Sequence, residues 1–235
     1  MDMEKKKIKW WLPLTVIVVL AVFALYEDPA WLSTEAEITP ILVIDAGHGG
    51  MDGGAVASDG TKESGINLDI ALRLEALARF WGVDMVMTRN QENIDYPADA
   101  GTIAAKKKAD QYARVGLINN TPGAILLSIH QNNYPATAPN GIQVFYGKNP
   151  AGTEFATVLQ TNLTTYLYPE SRRLASPISD SIFLMNKINC PAVLVECGFL
   201  SNPGDLQKLK TESYRLELAM VMLASYLQYI RGANV

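Results

Sequence analysis

Histidine is scarce in this 235-residue chain, which has only His48 and His130. No H-E-x-x-H or other short metal motif can be built from two histidines so far apart. Cysteine is as rare, with Cys190 and Cys197 alone. They bracket an apolar run that reads as a strand, and seven extended residues at ~3.3 Å each exceed the ~7 Å reach of a disulfide. Two packed free thiols are therefore expected, with only an intermolecular bridge left open. Positive charge is also thin. The net charge is −4; residues 1–26 carry four lysines against Asp2 and Glu4, a net of +2, so the remainder stands at −6. No basic stripe offers a surface for nucleic acid. Internal repeats, low-complexity tracts and a second domain are absent as well.

What is present is apolar. Hydrophobic residues make up 49% of the chain, enough for the core of one α/β domain. Lys5, Lys6, Lys7 and Lys9 precede an uncharged, mostly apolar run from Trp10 to Tyr26, about one membrane span at ~1.5 Å per residue. Lysines before the span predict an amino terminus inside and everything after Tyr26 outside. Ala21-Val22-Phe23-Ala24 lacks A-x-A spacing, so an uncleaved signal anchor is expected over a cleaved signal peptide. Residues 1–26 are thus read as anchor, 27–40 as an acidic, Pro-containing linker and 41–231 as the catalytic domain. The expected location is the outer face of the cytoplasmic membrane, with secretion after cleavage as the alternative.

Within the domain, Ile41-Leu42-Val43-Ile44 reads as a buried strand running into the glycines around His48. Ile66, Ile70, Leu74 and Leu77 recur at helical spacing over about 65–81. A strand at 83–88, a helix at 103–118 and a strand at 124–129 follow. Lys106-Lys107-Lys108 reads as a solvated face of that second helix. Further strands are expected at 142–146, 182–185 and 192–196, with helices at 152–166 and 214–230. The β-α-β-α-β opening predicts a single three-layer α/β domain with a mostly parallel twisted sheet flanked by helices.

Three apolar strands then end in chemically useful residues: His48 just past the first, His130 on the third and Glu196 on the last. In open α/β sheets, ligands bind at the carboxyl ends of strands. Two imidazoles and a carboxylate are a known zinc set, with a fourth position left for water. Asp45, Asp52, Glu63 and Glu196 are all candidates for the carboxylate ligand, and spacing does not choose among them. Asp45 could instead orient an imidazole, and Glu63 could simply favour a helix N-terminus.

Ile44-Asp45-Ala46-Gly47-His48-Gly49-Gly50-Met51-Asp52-Gly53-Gly54-Ala55 resembles the opening motif of the zinc-dependent N-acetylmuramoyl-L-alanine amidases. Lys62-Glu63 with Asn67-Leu68-Asp69-Ile70-Ala71 resembles their second motif, Ser128-Ile129-His130 their third, and Pro191 to Glu196 with Gly198 to Asn202 their fourth. The match is collinear over about 41–230. The resemblance implies one zinc per chain on His48, Glu63 and His130, with Glu196 as the catalytic carboxylate. It implies peptidoglycan as the substrate, cut between the lactyl group of N-acetylmuramic acid and L-alanine, and it leaves room for an activating protein partner.

This chain departs from the family in two places, at Gln131 after the third-motif histidine and at Cys197 after the glutamate. Asn132 to Ile142 is too short for the blocking helix that some members insert, and no separate wall-binding module is evident. The small domain behind an anchor, with Val195-Glu196-Cys197-Gly198-Phe199-Leu200, is most similar to the germination-specific amidases of spore-formers, which strip stem peptides to form cortex muramic-δ-lactam. Two rivals are a non-catalytic wall-binding protein and a carboxypeptidase that trims stems. The latter needs a cation for a terminal carboxylate, with Arg89, Arg114, Arg172 and Arg173 as candidates.

Overall fold

The computed structural model describes residues 39–232. The expected anchor and most of the linker lie outside the described residues. Among those described, no helix is long and apolar enough to cross a membrane.

In chain order the elements are β1 (Ile41–Ala46), α1 (Glu63–Phe80), β2 (Met85–Met87), α2 (Ile103–Asn119), β3 (Ala124–Asn132), β4 (Gln143–Tyr146), α3 (Ala151–Leu167), β5 (Ser176–Pro177), α4 (Phe183–Lys187), β6 (Ala192–Phe199), α5 (Pro203–Leu209) and α6 (Glu212–Gly232). One sheet holds the strands in the order β2-β1-β3-β6-β4-β5. β2, β1, β3 and β6 are mutually parallel. β4 runs against β6, and β5 follows β4, so the sheet is mixed. Only ten residues join β3 to β4, too few for a helical crossover, which needs about a dozen. The chain therefore turns back, and β6 later slots between the two strands.

Strand parity sorts the side chains. Leu42 and Ile44, Ile125, Leu127 and Ile129, and Val193 and Val195 face the layer formed by α1, α3 and α6. Ile70 and Leu74 of α1, Phe155 and Leu159 of α3, and Leu218 and Met222 of α6 complete that core, all fully buried. Val43, Leu126 and Leu194 point the other way and meet Ile118 of α2 and Leu184 and Met185 of α4. This second layer is thinner, and polar side chains share it.

The expected strand at 182–185 is instead helix α4, preceded by Ile182. Leu184 and Met185 are neighbours and both buried, which suits a helical turn and not the alternation of a strand. Asn186 Nδ2 donates to the carbonyls of Asp180 and Ile182 and closes the turn. Helix α5 was not anticipated, although Asn202 caps it by accepting from the Gly204 and Asp205 amides (3.0 Å each) with Pro203 in the first turn. Both cysteines are free: Cys197 is fully buried, as expected, while Cys190 is half-buried. The segment from Asn133 to Ile142 contains no helix.

The polar part of the thin layer centres on Arg114 of α2. Its Nη1 donates to Asp45 Oδ1 at 2.7 Å and to the Ala46 carbonyl at 2.8 Å. Nη2 donates to the His48 carbonyl at 2.6 Å, and Nε reaches Asp110 at 3.0 Å. Asp45 also accepts from Thr88 (2.7 Å) and Ser128 (2.6 Å). Burial alone would raise the Asp45 carboxyl. The Arg114 charge, then the Ser128 hydroxyl, outweigh it and hold Asp45 at about 2.

Removing one partner of a buried pair strands the other charge. Arg114→Met should therefore cost about 3–5 kcal/mol at pH 7. The deficit should shrink as pH falls from 7 toward 4. Asp45, lacking its partner and still buried, then takes a proton above its unfolded-state value, and the penalty of the stranded charge disappears. Urea unfolding of wild type and variant at pH 7 and pH 4 measures both terms. A variant as stable as wild type at pH 7 contradicts the role given to the pair.

Candidate metal centre

β1 breaks at Gly47, and His48 follows in the left-handed region at φ 60°. A non-glycine residue there is strained, and such residues cluster at functional sites. The turn is pinned from both sides. The Gly49 and Asp52 backbones exchange hydrogen bonds at 2.7 and 2.9 Å. Arg89, buried like Arg114, donates Nε to the Ala46 carbonyl at 2.9 Å and Nη2 to the Gly47 and Ser64 carbonyls at 3.1 and 2.9 Å. Two buried guanidiniums thus satisfy carbonyls that the turn would otherwise orphan.

His130 comes from β3, beside β1 in the sheet, with Glu196 of β6 as its register partner. The β3–β6 ladder shifts between His130 and Asn132, an irregularity of the kind found beside active sites. The His48 and His130 rings sit 5.0 Å apart and nearly perpendicular. No side chain fits at Gly47, because a Cβ there would overlap the His130 ring. At Gly54, which has φ +67°, a Cβ would stand 2.8 Å from the His48 ring.

Glu63 opens α1, and its buried carboxylate lies between the two rings. Oε1 is 2.9 Å from His130 Nδ1 and 3.3 Å from His48 Nε2. The Ala55 amide donates to Oε2 at 2.9 Å and the Gln131 amide to Oε1 at 3.1 Å. Asn67 Nδ2 joins Oε1 (3.3 Å) to the Gly47 carbonyl (3.1 Å), and Gln131 Nε2 holds Asn67 Oδ1 at 3.1 Å. Burial opposes ionisation of Glu63, but the two imidazoles outweigh it and keep the carboxyl well below its usual range. For His48 burial favours the neutral ring, yet Glu63 and then Asp52 pull it up to about 9. A metal can take that nitrogen only when the proton leaves.

His48, Glu63 and His130 each offer one ligand atom, and the three atoms lie within 4.8 Å of one another. Asp52 Oδ2 sits 2.9 Å from His48 Nδ1, which aims Nε2 at the cluster. Carboxylates commonly fix ligating imidazoles in this way. The donor set, its spacing and the second carboxylate fit a zinc ion. Glu196 borders the same cleft, and its Oε2 is buried without a partner. Burial first, with the nearby Glu63 charge added, raises Glu196 to about 7 against the pull of the two histidines. The cleft measures about 500 Å³ and is also lined by Lys107, Gln111, Asn132, Asn133 and Phe183.

The structure thus gathers His48, Glu63, His130 and Glu196 from four elements, and it reassigns the two aspartates. Asp45 touches neither imidazole because Arg114, Ser128 and Thr88 occupy it. Asp52, weighed as a ligand, is the residue that orients His48. The arginines proposed for a terminal carboxylate are committed elsewhere: Arg89 and Arg114 to the scaffold, Arg172 and Arg173 to a separate depression beside Tyr168. Lys107 does not merely face solvent, since its Nζ lies 2.9 Å from Asp52 Oδ1.

An α/β sheet with a three-donor cluster and a spare buried carboxylate gathered at its strand ends and one helix start is the arrangement of a metal-assisted hydrolase. The chain belongs to the N-acetylmuramoyl-L-alanine amidase family, whose model matches residues 42–225. It is 30% identical over 230 residues to the germination-specific N-acetylmuramoyl-L-alanine amidase of Bacillus subtilis, covering 96% of each chain. Among solved structures it is similar to the CwlD amidase of Clostridioides difficile in complex with the GerS lipoprotein. The TM-score is 0.78 with 31% identity, over 82% of this chain and 99% of that one. An N-acetylmuramoyl-L-alanine amidase from Clostridium difficile 630 matches with TM-score 0.69 and 27% identity, over 83% and 98%.

Proposed function

We propose that this protein is a zinc-dependent amidase of peptidoglycan, with zinc on His48, Glu63 and His130 and Glu196 as the proton-transferring carboxylate. The observation that carries the reading is the buried, unpartnered Glu196 oxygen beside the three-donor cluster. When bound, zinc supplies a Lewis acid for the scissile carbonyl and makes water more acidic.

The chain's own residues do the rest. Asp52 holds the His48 ring in one orientation, and Asn67 with Gln131 does the same for Glu63. Glu196, with its Oε2 free of protein partners, accepts a proton from the attacking water as the water oxygen adds to the lactyl carbonyl carbon. The carbon–nitrogen bond then breaks, and Glu196 returns the proton to the departing alanine nitrogen. The products are a muramic acid lactyl carboxylate and a stem peptide with a free amine.

Likeness to the germination-specific amidase supports a role in removing stems from spore cortex. The CwlD structure, being a complex with a lipoprotein, supports a protein partner here as well. The lysine-flanked apolar run before Tyr26 supports a membrane-anchored enzyme facing outward. Protease added to intact cells should digest the domain from outside, and a full-length cytosolic form contradicts this.

Glu196→Gln keeps shape but removes the base. The variant should hold one zinc per chain and melt like wild type while turnover on muramyl-peptide falls about 10²–10⁴-fold. Zinc content, melting temperature and released alanine-terminated peptide are read on one preparation. Normal turnover with normal zinc removes Glu196 from the mechanism, and lost zinc makes it a ligand instead.

A further inference from the structure

The cleft is crowded with carboxylates: Asp45, Asp52, Glu63, Asp110 and Glu196 all line it. Of its two permanent cations, Arg114 is buried and every N–H is engaged, by Asp45, Asp110 and the Ala46 and His48 carbonyls. The other is Lys107, on the α2 face that borders the cleft. Its side chain is 45% exposed, and its one charged contact is Asp52 Oδ1.

Asp52 does not depend on that contact to hold His48. It grips the imidazole with its other oxygen, Oδ2, while Oδ1 also accepts from the Gly54 amide at 3.2 Å. Lys107 can therefore leave Asp52 without releasing the ring. Half-exposed ion pairs of this kind are weak, so exchanging one carboxylate for another costs little. Lys107 is the cation of the cleft lining least committed to the scaffold, and so the one an anionic substrate can engage.

We propose that Lys107 is the specificity-determining residue of the cleft, taking the free α-carboxylate of the stem residue that follows L-alanine. The proposal rests on the amidase reading for the identity of the ligand. Lys107 touches Asp52, which touches His48, so the ammonium stands on the cleft wall beside the donor cluster, and that α-carboxylate is the first anionic group of the stem beyond the scissile amide. Lys107 is accordingly a discriminator between acidic and amidated stems and takes no part in proton transfer.

The test uses two ligands that differ only in that group, N-acetylmuramyl-L-alanyl-D-glutamate and N-acetylmuramyl-L-alanyl-D-isoglutamine. Their affinities are measured by calorimetry on the zinc-loaded, detergent-solubilised full chain carrying Glu196→Gln, with and without Lys107→Met. The acid should bind about three- to fivefold more tightly than the amide, the size of a half-exposed ion pair. Lys107→Met should reduce that ratio to about one at unchanged zinc content. A ratio that survives the substitution, or no preference to begin with, overturns the proposal. So does equal weakening of both ligands together with zinc loss, which would make Lys107 a support for Asp52 and His48. Failure of the amidase reading shows separately, as a wild-type chain that binds the acid preferentially and cleaves neither compound.

Discussion

Arg114 binds the site to the fold. One guanidinium, buried on the thinly covered side of the sheet, neutralises Asp45 at the end of β1 and caps the carbonyls of Ala46 and His48 in the turn beyond. Arg89 does the same for Ala46 and Gly47 from the far side of that turn. His48 sits at a positive φ that an isolated chain would rarely adopt. The strain is tolerable because neighbouring groups over-determine the conformation. The position of the His48 imidazole therefore depends on two buried charges whose partners are backbone carbonyls and the carboxylates of Asp45, Asp110 and Glu92.

The second constraint is geometric. Side chains alternate along a strand, and adjacent parallel strands keep that alternation in register. Val43 and Asp45, Leu126, Ser128 and His130, and Leu194 and Glu196 consequently fall on one face. The apolar members of each series pack under α2 and α4, and the last members emerge where that cover ends. Burial enough to raise Glu196 and solvent enough to admit a substrate coexist there because the layer is thin. On the opposite face the three long helices α1, α3 and α6 cover the strands.

Much of this was legible beforehand. Three apolar runs ending in His48, His130 and Glu196 announced strand ends with chemistry on them; strand parity pairs His130 with Glu196, and the turn after β1 brings His48 beside them. Glu63 was different. At a helix start a glutamate has an ordinary electrostatic reason to exist, and only the family resemblance singled it out. The aspartates stood as open alternatives, because nothing local shows that a residue 69 positions away will claim Asp45. Arg114 and Arg89 stood as candidates for a substrate carboxylate, and not as scaffold, for the same reason: the partners that bury them lie far away in the chain. Helix α4 was mistaken for a strand from a short apolar run, where periodicity is weakest. Helix α5 carried a readable start in Asn202-Pro203. The reversal of β4 followed from a loop length that was in plain view.

The central claim is that a metal sits on two imidazoles and one carboxylate held by this scaffold. X-ray absorption spectroscopy at the zinc edge of the full-length protein tests it most directly. The account predicts a first shell of nitrogen and oxygen only, at about 2.0–2.2 Å, with multiple-scattering features of two imidazoles. A sulfur scatterer at about 2.3 Å, or the signature of a single imidazole, would contradict it.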